Sequence, residues 1–299
     1  MIFSPGLFFT GLFLFPISHT LVTYLLKYVL PGLKYVERYG VSTRVVSGLQ
    51  AIAASLVGLK AVLSCNDILH QRLLFVIDYL SFGLSYFYYD AVVMYYGVYL
   101  KEKIRDPRTT YSSAWTKFYK KKKLIFWHHV LLPVIGFPIS NFSWIRQDRG
   151  DFFIGCLFMS EMSTPFLSLR AVLAKLGKKN SLAYIVNGVT LAVVFFVFRV
   201  LVYPYMYWRF AVYKNISLLE VPFNIPIPCN VACFMLMSLQ VNWSFVIIKG
   251  CLRYLYRPGV SKEPPPCHTS SDEAPGVHTR TGDASNSNGL VIDHAHKND

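Results

Sequence analysis

Long apolar runs alternate with short polar connections along this chain. The hydrocarbon core of a bilayer, about 30 Å thick, takes about 20 apolar residues of helix, because a helix satisfies its own backbone hydrogen bonds there. The apolar runs of suitable length are Phe3–Leu26, Val45–Leu63, Leu73–Leu100, Leu124–Phe142, Phe152–Leu169, Ser181–Trp208 and Ile227–Ile248. The pattern therefore predicts an all-α, polytopic membrane helix bundle of about seven transmembrane helices.

The two ends of the chain differ in character. The first run lacks a positively charged n-region and a small-residue cleavage site, which favours an uncleaved membrane helix over a signal peptide. From Pro258 onward Pro, Ser, Asp, Asn and His dominate, a composition that buries too little apolar surface to fold. These patterns predict a first transmembrane helix in 1–33, a six-helix membrane domain in 34–257 and a disordered tail in 258–299.

Composition agrees with a membrane protein. The 299 residues are 54% hydrophobic and only 15% charged, too few polar residues to cover a soluble core of this length. The net charge of +14 could suit nucleic acid, but the loop-by-loop distribution described next accounts for it, so no nucleic-acid partner is predicted. The six cysteines have no zinc-like spacing and predict neither a metal site nor a disulfide framework.

Basic residues alternate between the two sides of the predicted membrane. The connections 27–44, 101–123 and 170–179 hold 17 Lys and Arg, whereas 65–72, 143–151 and 209–226 hold five. The positive-inside rule therefore predicts a cytosolic C-terminus and a lumenal N-terminus. The glycosylation sequons at Asn141 and Asn215 would then be lumenal, and the sequon at Asn242 would be silent inside the last span.

Each predicted span also carries a polar side chain in the cytosolic half of the bilayer. These residues lie five to eleven positions from the nearest cytosolic basic residue, or roughly 8 to 17 Å of helix rise. They are His19, Gln50, Asp90, His128, His129, Glu161, Asn187 and Asn242. Because polar groups are costly in hydrocarbon, we predict a shared cavity that opens towards the cytosol. The alternative is a set of unrelated interhelical hydrogen bonds.

The histidine doublet is the main candidate for chemistry. Adjacent helical residues point about 100° apart, so one imidazole would face the cavity as general base or nucleophile while the other packs or orients. Either Glu161 or Asp90 could hold the imidazole tautomer. Thr164 and Pro165 predict a kink that frees backbone carbonyls nearby.

Two further charged features have more than one interpretation. The run Lys120, Lys121, Lys122 and Lys123 favours a headgroup anchor, and a docking patch for the phosphates of coenzyme A is a compatible alternative. Lys60 and Asp78, towards the lumenal ends of their spans, predict a structural ion pair or snorkelling groups. We assign these two residues no catalytic role.

Several segments resemble one family. The stretches are Trp127–His129, Tyr88–Asp90, Gly155–Phe166, Tyr184–Gly188, Tyr203–Trp208 and Val221–Phe223. Together they resemble the TLC-domain family over about residues 40–257, and the later segments are most similar to the TLC domain-containing protein 3 group. That family includes the ceramide synthases.

The resemblance implies residence in the endoplasmic reticulum or Golgi and a link to sphingolipid metabolism. By analogy with ceramide synthases, His128 and His129 with Glu161 and Asp90 would be catalytic. They would transfer a fatty acyl group from acyl-CoA to the amine of a long-chain base. Gln50, Thr164, Asn187, Asn242 and the four lysines would contact substrate. The chain departs from ceramide synthases where Ser160, Glu161 and Thr164 replace a His-Asp pair and a second Asp.

Two function classes therefore stay open. One is a ceramide-synthase-like N-acyltransferase, with acyl-CoA as co-substrate, no cofactor and no metal. The other is a non-catalytic protein that binds lipid or regulates membrane lipid composition. A heptahelical receptor is disfavoured, since no D-R-Y-like triplet ends the third span and no N-P-x-x-Y closes the seventh. Predicted partners are membrane lipids, the two substrates and copies of this or related membrane proteins.

Overall fold

A computed structural model describes residues 3–136, 138 and 149–255, and every long element in these ranges is helical. Its long helices, which we number α1 to α7, are α1 (Pro5–Val29), α2 (Tyr35–Ser64), α3 (Leu74–Arg105), α4 (Tyr111–Leu131), α5 (Asp151–Lys175), α6 (Leu182–Lys214) and α7 (Ile227–Leu255). A π-helical turn, Leu132–Gly136, continues α4, and a single turn, Val221–Asn224, precedes α7.

Five of these helices, α1, α2, α5, α6 and α7, are long and apolar enough to cross a membrane. Within the described residues α3 and α4 fall short of that apolarity. Helix α3 carries Asp78, Asp90 and many tyrosines, and the first half of α4 is rich in lysine. The polytopic helical bundle is confirmed, whereas the number of spans and the orientation of the termini stay predictions. Asn141 and the tail 258–299 lie outside the described residues.

Helix α1 packs directly on the domain that follows it. Phe15 of α1 lies in a buried aromatic cluster with Tyr39, Tyr86 and Tyr89 of α2 and α3. The Oγ of Ser42 donates to the His19 carbonyl at 2.7 Å, a second tie between α1 and α2. The first helix therefore belongs to the same core as the rest of the described bundle.

Small residues allow α2 and α5 to approach closely. A Cβ added to Gly58 would lie 2.6 Å from the Gly155 carbonyl oxygen, and one added to Gly155 would lie 2.5 Å from the Ala61 Cβ. Glycine and alanine permit such backbone contact between membrane helices. The contact fixes α5, which carries Glu161, against α2, which carries Gln50.

A buried carboxylate holds the first residue of α5. Asp151 Oδ2 accepts hydrogen bonds from Arg72 Nε at 3.0 Å and from the Leu73 backbone N–H at 2.8 Å. Asp151 is fully buried at the first residue of α5, and Leu73 directly precedes α3. The starts of α3 and α5 are therefore joined.

The predicted ion pair between Lys60 and Asp78 is wrong. Lys60 Nζ instead lies 4.6 Å from the centre of the Phe75 ring, a cation–π contact, and both charged residues are exposed. A lysine stem on apolar surface with an exposed head is the snorkelling alternative.

Candidate functional site

A cavity of about 150 Å³ lies between α2, α3, α4, α5, α6 and α7. Most of its wall is aliphatic or aromatic, as in small-molecule sites generally. Its polar lining residues are Gln50, Tyr79, His128, Ser160, Glu161, Arg199, Tyr203 and Gln240. We call this space the central cavity. It unites polar side chains from six helices of the described chain.

Arg199 is the hub of the polar wall. Its Nη2 lies 3.3 Å from Glu161 Oε2 and 2.7 Å from the Thr164 hydroxyl, and its Nε donates to Ser163 Oγ at 2.8 Å. The Thr164 hydroxyl in turn donates to Glu161 Oε2 at 2.7 Å. Gln240 Oε1 of α7, at 3.5 Å, faces Nη1. The guanidinium thus joins α5, α6 and α7 through charge-assisted hydrogen bonds.

Two departures from regular helix accompany this network. Ser160–Ser163 of α5 forms a 3₁₀ segment that contains Glu161, and Phe196–Val200 of α6 forms a π-helical segment that contains Arg199. Pro165 occupies the first turn of the regular helix that restarts at Thr164, where its missing N–H is tolerated. Short π segments are common at functional sites.

The two histidines face different surroundings. His128 lines the central cavity and contacts Trp243 of α7 edge to face, with ring centres 5.5 Å apart. His129 lies outside the cavity lining, with Nδ1 3.1 Å from Asp90 Oδ2. His129 Nδ1 is buried and makes no hydrogen bond there. Asp90 thus neighbours His129, and Glu161 belongs to the arginine network.

The remaining predicted residues do not share one chamber. Gln50 lines the cavity, with its Nε2 3.4 Å from the Tyr79 hydroxyl. Asn187 donates instead to the Phe166 carbonyl at 2.9 Å, and Asn242 is exposed on α7. His19 lines a separate cavity between α1 and α2. Of the eight residues predicted to share one cavity, Gln50, His128 and Glu161 line it, and the expectation is wrong for the other five, which are His19, Asp90, His129, Asn187 and Asn242.

The lysine run occupies the middle of α4, away from the cavity lining. Lys120, Lys121 and Lys123 are exposed, and Lys121 Nζ lies 4.0 Å from Glu102 Oε1. Lys123 precedes His128 by five residues on the same helix, or roughly 8 Å of rise. The run therefore lies near the cavity without forming its wall.

Sequence reasoning missed Arg199, Gln240 and Ser163. A signal existed for Arg199, since it is an isolated charge inside the most apolar helix, and such charges are functional candidates by default. The cavity residues were predicted from their distance to the cytosolic basic connections, and Arg199 lies too far along the helix from those connections to be included.

Comparison with known proteins agrees with this architecture. The profile of the TLC domain, shared by TRAM, LAG1 and CLN8 proteins, matches residues 41–249. TLC domain-containing protein 4-A of Xenopus laevis is 31% identical over 101 residues, which is 33% of this chain and 39% of that protein. The human TLC domain-containing protein 4 is 28% identical over 99 residues, 32% of this chain and 38% of that protein. No solved structure matches.

These observations define a multi-pass helical membrane protein, and the chain belongs to the TLC-domain family. The family prediction is confirmed. The matches span about two fifths of the length of these relatives, so activity does not transfer directly from them. The narrower likeness to the TLC domain-containing protein 3 group stays a prediction.

Proposed function

We propose that this protein is a ceramide-synthase-like N-acyltransferase of the endoplasmic reticulum or Golgi membrane. Its substrates would be a fatty acyl-CoA and the amine of a long-chain base. The observation that carries the proposal is that a base, His128, and a cation, Arg199, line the same cavity inside the membrane domain.

Each polar group has a place in this chemistry. The amine nitrogen attacks the thioester carbonyl carbon while His128 accepts a proton from that nitrogen. The Arg199 guanidinium faces the oxygen that becomes negative in the tetrahedral intermediate, and a preorganised cation stabilises such an oxygen strongly. The carbon–sulfur bond then breaks, and the departing thiolate takes the proton from His128 to give free coenzyme A and an amide.

Glu161 and the His129–Asp90 pair would position these groups. Glu161 and Thr164 hold the guanidinium from one side, so its planar fork is fixed before substrate binds. Asp90, a buried carboxylate on α3, lies 3.1 Å from His129 Nδ1, and this contact would fix the turn of α4 that carries His128. The exposed lysines earlier on α4 offer positive charge for the phosphates of coenzyme A.

One observation favours the non-catalytic alternative. The central cavity, at about 150 Å³, is smaller than the roughly 300 to 1,000 Å³ of typical small-molecule sites. A lipid-binding or regulatory protein needs room for only one acyl chain or headgroup. Catalysis requires the helices to separate enough to admit two substrates.

The test is acyl transfer by purified protein in vesicles that contain a long-chain base and labelled acyl-CoA. The variants are His128→Gln and Arg199→Lys, each compared at equal folded abundance with the wild type. His70→Gln is the matched control, because His70 is an exposed histidine of the α2–α3 connection that contacts Asp67. We expect His128→Gln to lower the rate at least about 100-fold and His70→Gln to leave it unchanged.

The outcomes separate the two functions. Equal amide output from wild type and His128→Gln would end the catalytic proposal. Retention of labelled lipid by the wild type without turnover, weakened in Arg199→Lys, would support the lipid-binding alternative instead.

A further inference from the structure

A second cavity of about 310 Å³ lies between the end of α1 and the start of α2. Its lining residues are His19, Thr20, Thr23, Tyr24, Lys27, Tyr35, Arg38 and Tyr39. We call it the α1–α2 cavity. Its volume falls at the lower end of the range typical of small-molecule sites, roughly 300 to 1,000 Å³. None of its lining residues lines the central cavity.

Two cations in this cavity have no acidic partner among the described residues. Lys27 is exposed and forms no ion pair there, and Arg38 has a buried Nε without a hydrogen-bond acceptor. A buried donor without an acceptor is unfavourable, so a ligand that supplies one would stabilise the site. Glu37, the nearest acid in sequence, instead accepts from the Lys34 backbone N–H at 2.8 Å.

The position of the two cations suits the surface of a bilayer. Lys27 lies two residues before the end of α1, and Arg38 lies three residues after the start of α2. These separations correspond to roughly 3 to 5 Å of rise, which places both near the interface that ends the two helices. Tyr24 and Tyr35 beside them are exposed aromatic residues, which are enriched at that depth.

The cavity also continues deeper along α1. His19 lies ten residues before the end of α1, or roughly 15 Å down the helix. Leu21 and Leu25 are exposed on the same helix, as expected of a surface that contacts acyl chains. A ligand in the α1–α2 cavity would therefore have its charged group beside Lys27 and Arg38 and its apolar portion along α1.

We propose that the α1–α2 cavity binds a membrane phospholipid whose headgroup is a phosphate monoester. A phosphomonoester carries nearly two negative charges at neutral pH, which matches two cations better than a singly charged diester does. Arginine and lysine are the usual partners of such oxygens. This inference is independent of the function proposed for the central cavity.

The test is native mass spectrometry of the delipidated full chain, titrated with dioleoyl phosphatidic acid. Dioleoyl phosphatidylglycerol tests a singly charged diester, and inorganic phosphate tests a soluble source of the same group. We expect phosphatidic acid to bind at least about tenfold more tightly than either. Lys27→Gln and Arg38→Gln should each weaken it about tenfold.

Lys101→Gln is the matched control, since Lys101 is an exposed lysine that does not line the cavity. Equal losses of phosphatidic acid affinity in Lys101→Gln and Lys27→Gln would overturn the proposal, because they would show that the lipid responds to the overall charge of the protein. Equal binding of phosphatidic acid and phosphatidylglycerol, or of phosphatidic acid and inorganic phosphate, would overturn it as well. Lys27 makes no ion pair within the described chain, so Lys27→Gln tests the site even if Arg38→Gln fails to fold.

Discussion

Individual charged residues decide the character of the central cavity. Arg199 is buried, and its guanidinium reaches side chains from α5 and α7. A buried charge is tolerated only when it is paired and hydrogen-bonded. Because Glu161, Ser163 and Thr164 meet this requirement together, the arginine both stabilises the bundle and presents a fixed positive charge to the cavity.

Removing only one residue of the Arg199–Glu161 ion pair should destabilise the protein more than removing both. Arg199→Leu leaves the Glu161 carboxylate without its cation, and we expect a loss of about 3 kcal/mol in unfolding free energy. The double variant Arg199→Leu/Glu161→Leu should regain most of that loss. Unfolding in mixed detergent micelles measures both. Equal stability of wild type and Arg199→Leu would contradict the described network.

For the two histidines, the sequence predicted that their side chains point in different directions but not which one faces the cavity. Their adjacency predicted different directions, since a helix rotates about 100° per residue. Which histidine faces the cavity depends on the rotation of α4, and that rotation is set by contacts with other helices. In the structure Asp90 of α3 lies beside His129 and Trp243 of α7 lies beside His128. No local pattern encodes those long-range contacts.

At the scale of elements, the apolar runs of the sequence identified the helices well. Each apolar run lies within or largely overlaps a described helix, apart from the end of the fourth run, which lies outside the described residues. Breaks inside helices were harder to predict. Thr164-Pro165 gave a signal for the interruption of α5, and Pro204 gave one for the π segment around Arg199, because a proline cannot donate to the carbonyl four residues before it, here that of Val200. That segment accompanies the arginine network, a tertiary feature.

An ion pair outside the predicted spans ties α4 to α3. Glu102 Oε2 lies 2.7 Å from Lys117 Nζ, and the carboxylate is largely buried. The hydrogen bond from Lys117, opposed by burial, holds the pKa of Glu102 below its ordinary value of 4.5. Because α4 carries His128, this pair helps to fix the orientation of the helix that faces the cavity.

Stability should depend on pH through this pair. A carboxyl whose pKa is lower in the folded state stabilises fully above its unfolded value and loses that contribution as pH falls through the folded value. Glu102→Gln should therefore destabilise the protein by about 1 kcal/mol at pH 7, a modest effect because Lys117 is 45% exposed. The difference should shrink as pH falls below 4.5.

Thermal unfolding of wild type and Glu102→Gln at several pH values measures this difference. Lys117→Gln is the reciprocal variant and should show the same pH dependence. A gap between wild type and Glu102→Gln that stays constant from neutral to acid pH would contradict the role of the pair.

On the scale of the whole molecule, the alternation of basic connections predicts one orientation. The connection after α6 contains Asn215, an exposed residue at φ 53° that ends the helix in left-handed geometry. We expect an epitope inserted in residues 215–220 to be reached by antibody only after all membranes are permeabilised. An epitope inserted at Gly177 should be reached when only the plasma membrane is open.

Exposed tips of connections tolerate such insertions best. Gly177, at φ +73° with open space around it, and residues 217–220 are exposed. Antibody access to residues 215–220 when only the plasma membrane is permeabilised would contradict the predicted orientation. A glycan on Asn215 would support it independently.

The proposed enzyme function depends on one imidazole inside the membrane domain. The decisive measurement is the initial rate of amide formation by purified His128→Gln protein, relative to His70→Gln at equal folded abundance. If His128 is the base beside Arg199, the ratio falls to about one hundredth or below. A ratio near one would show that the central cavity does not perform the acyl transfer.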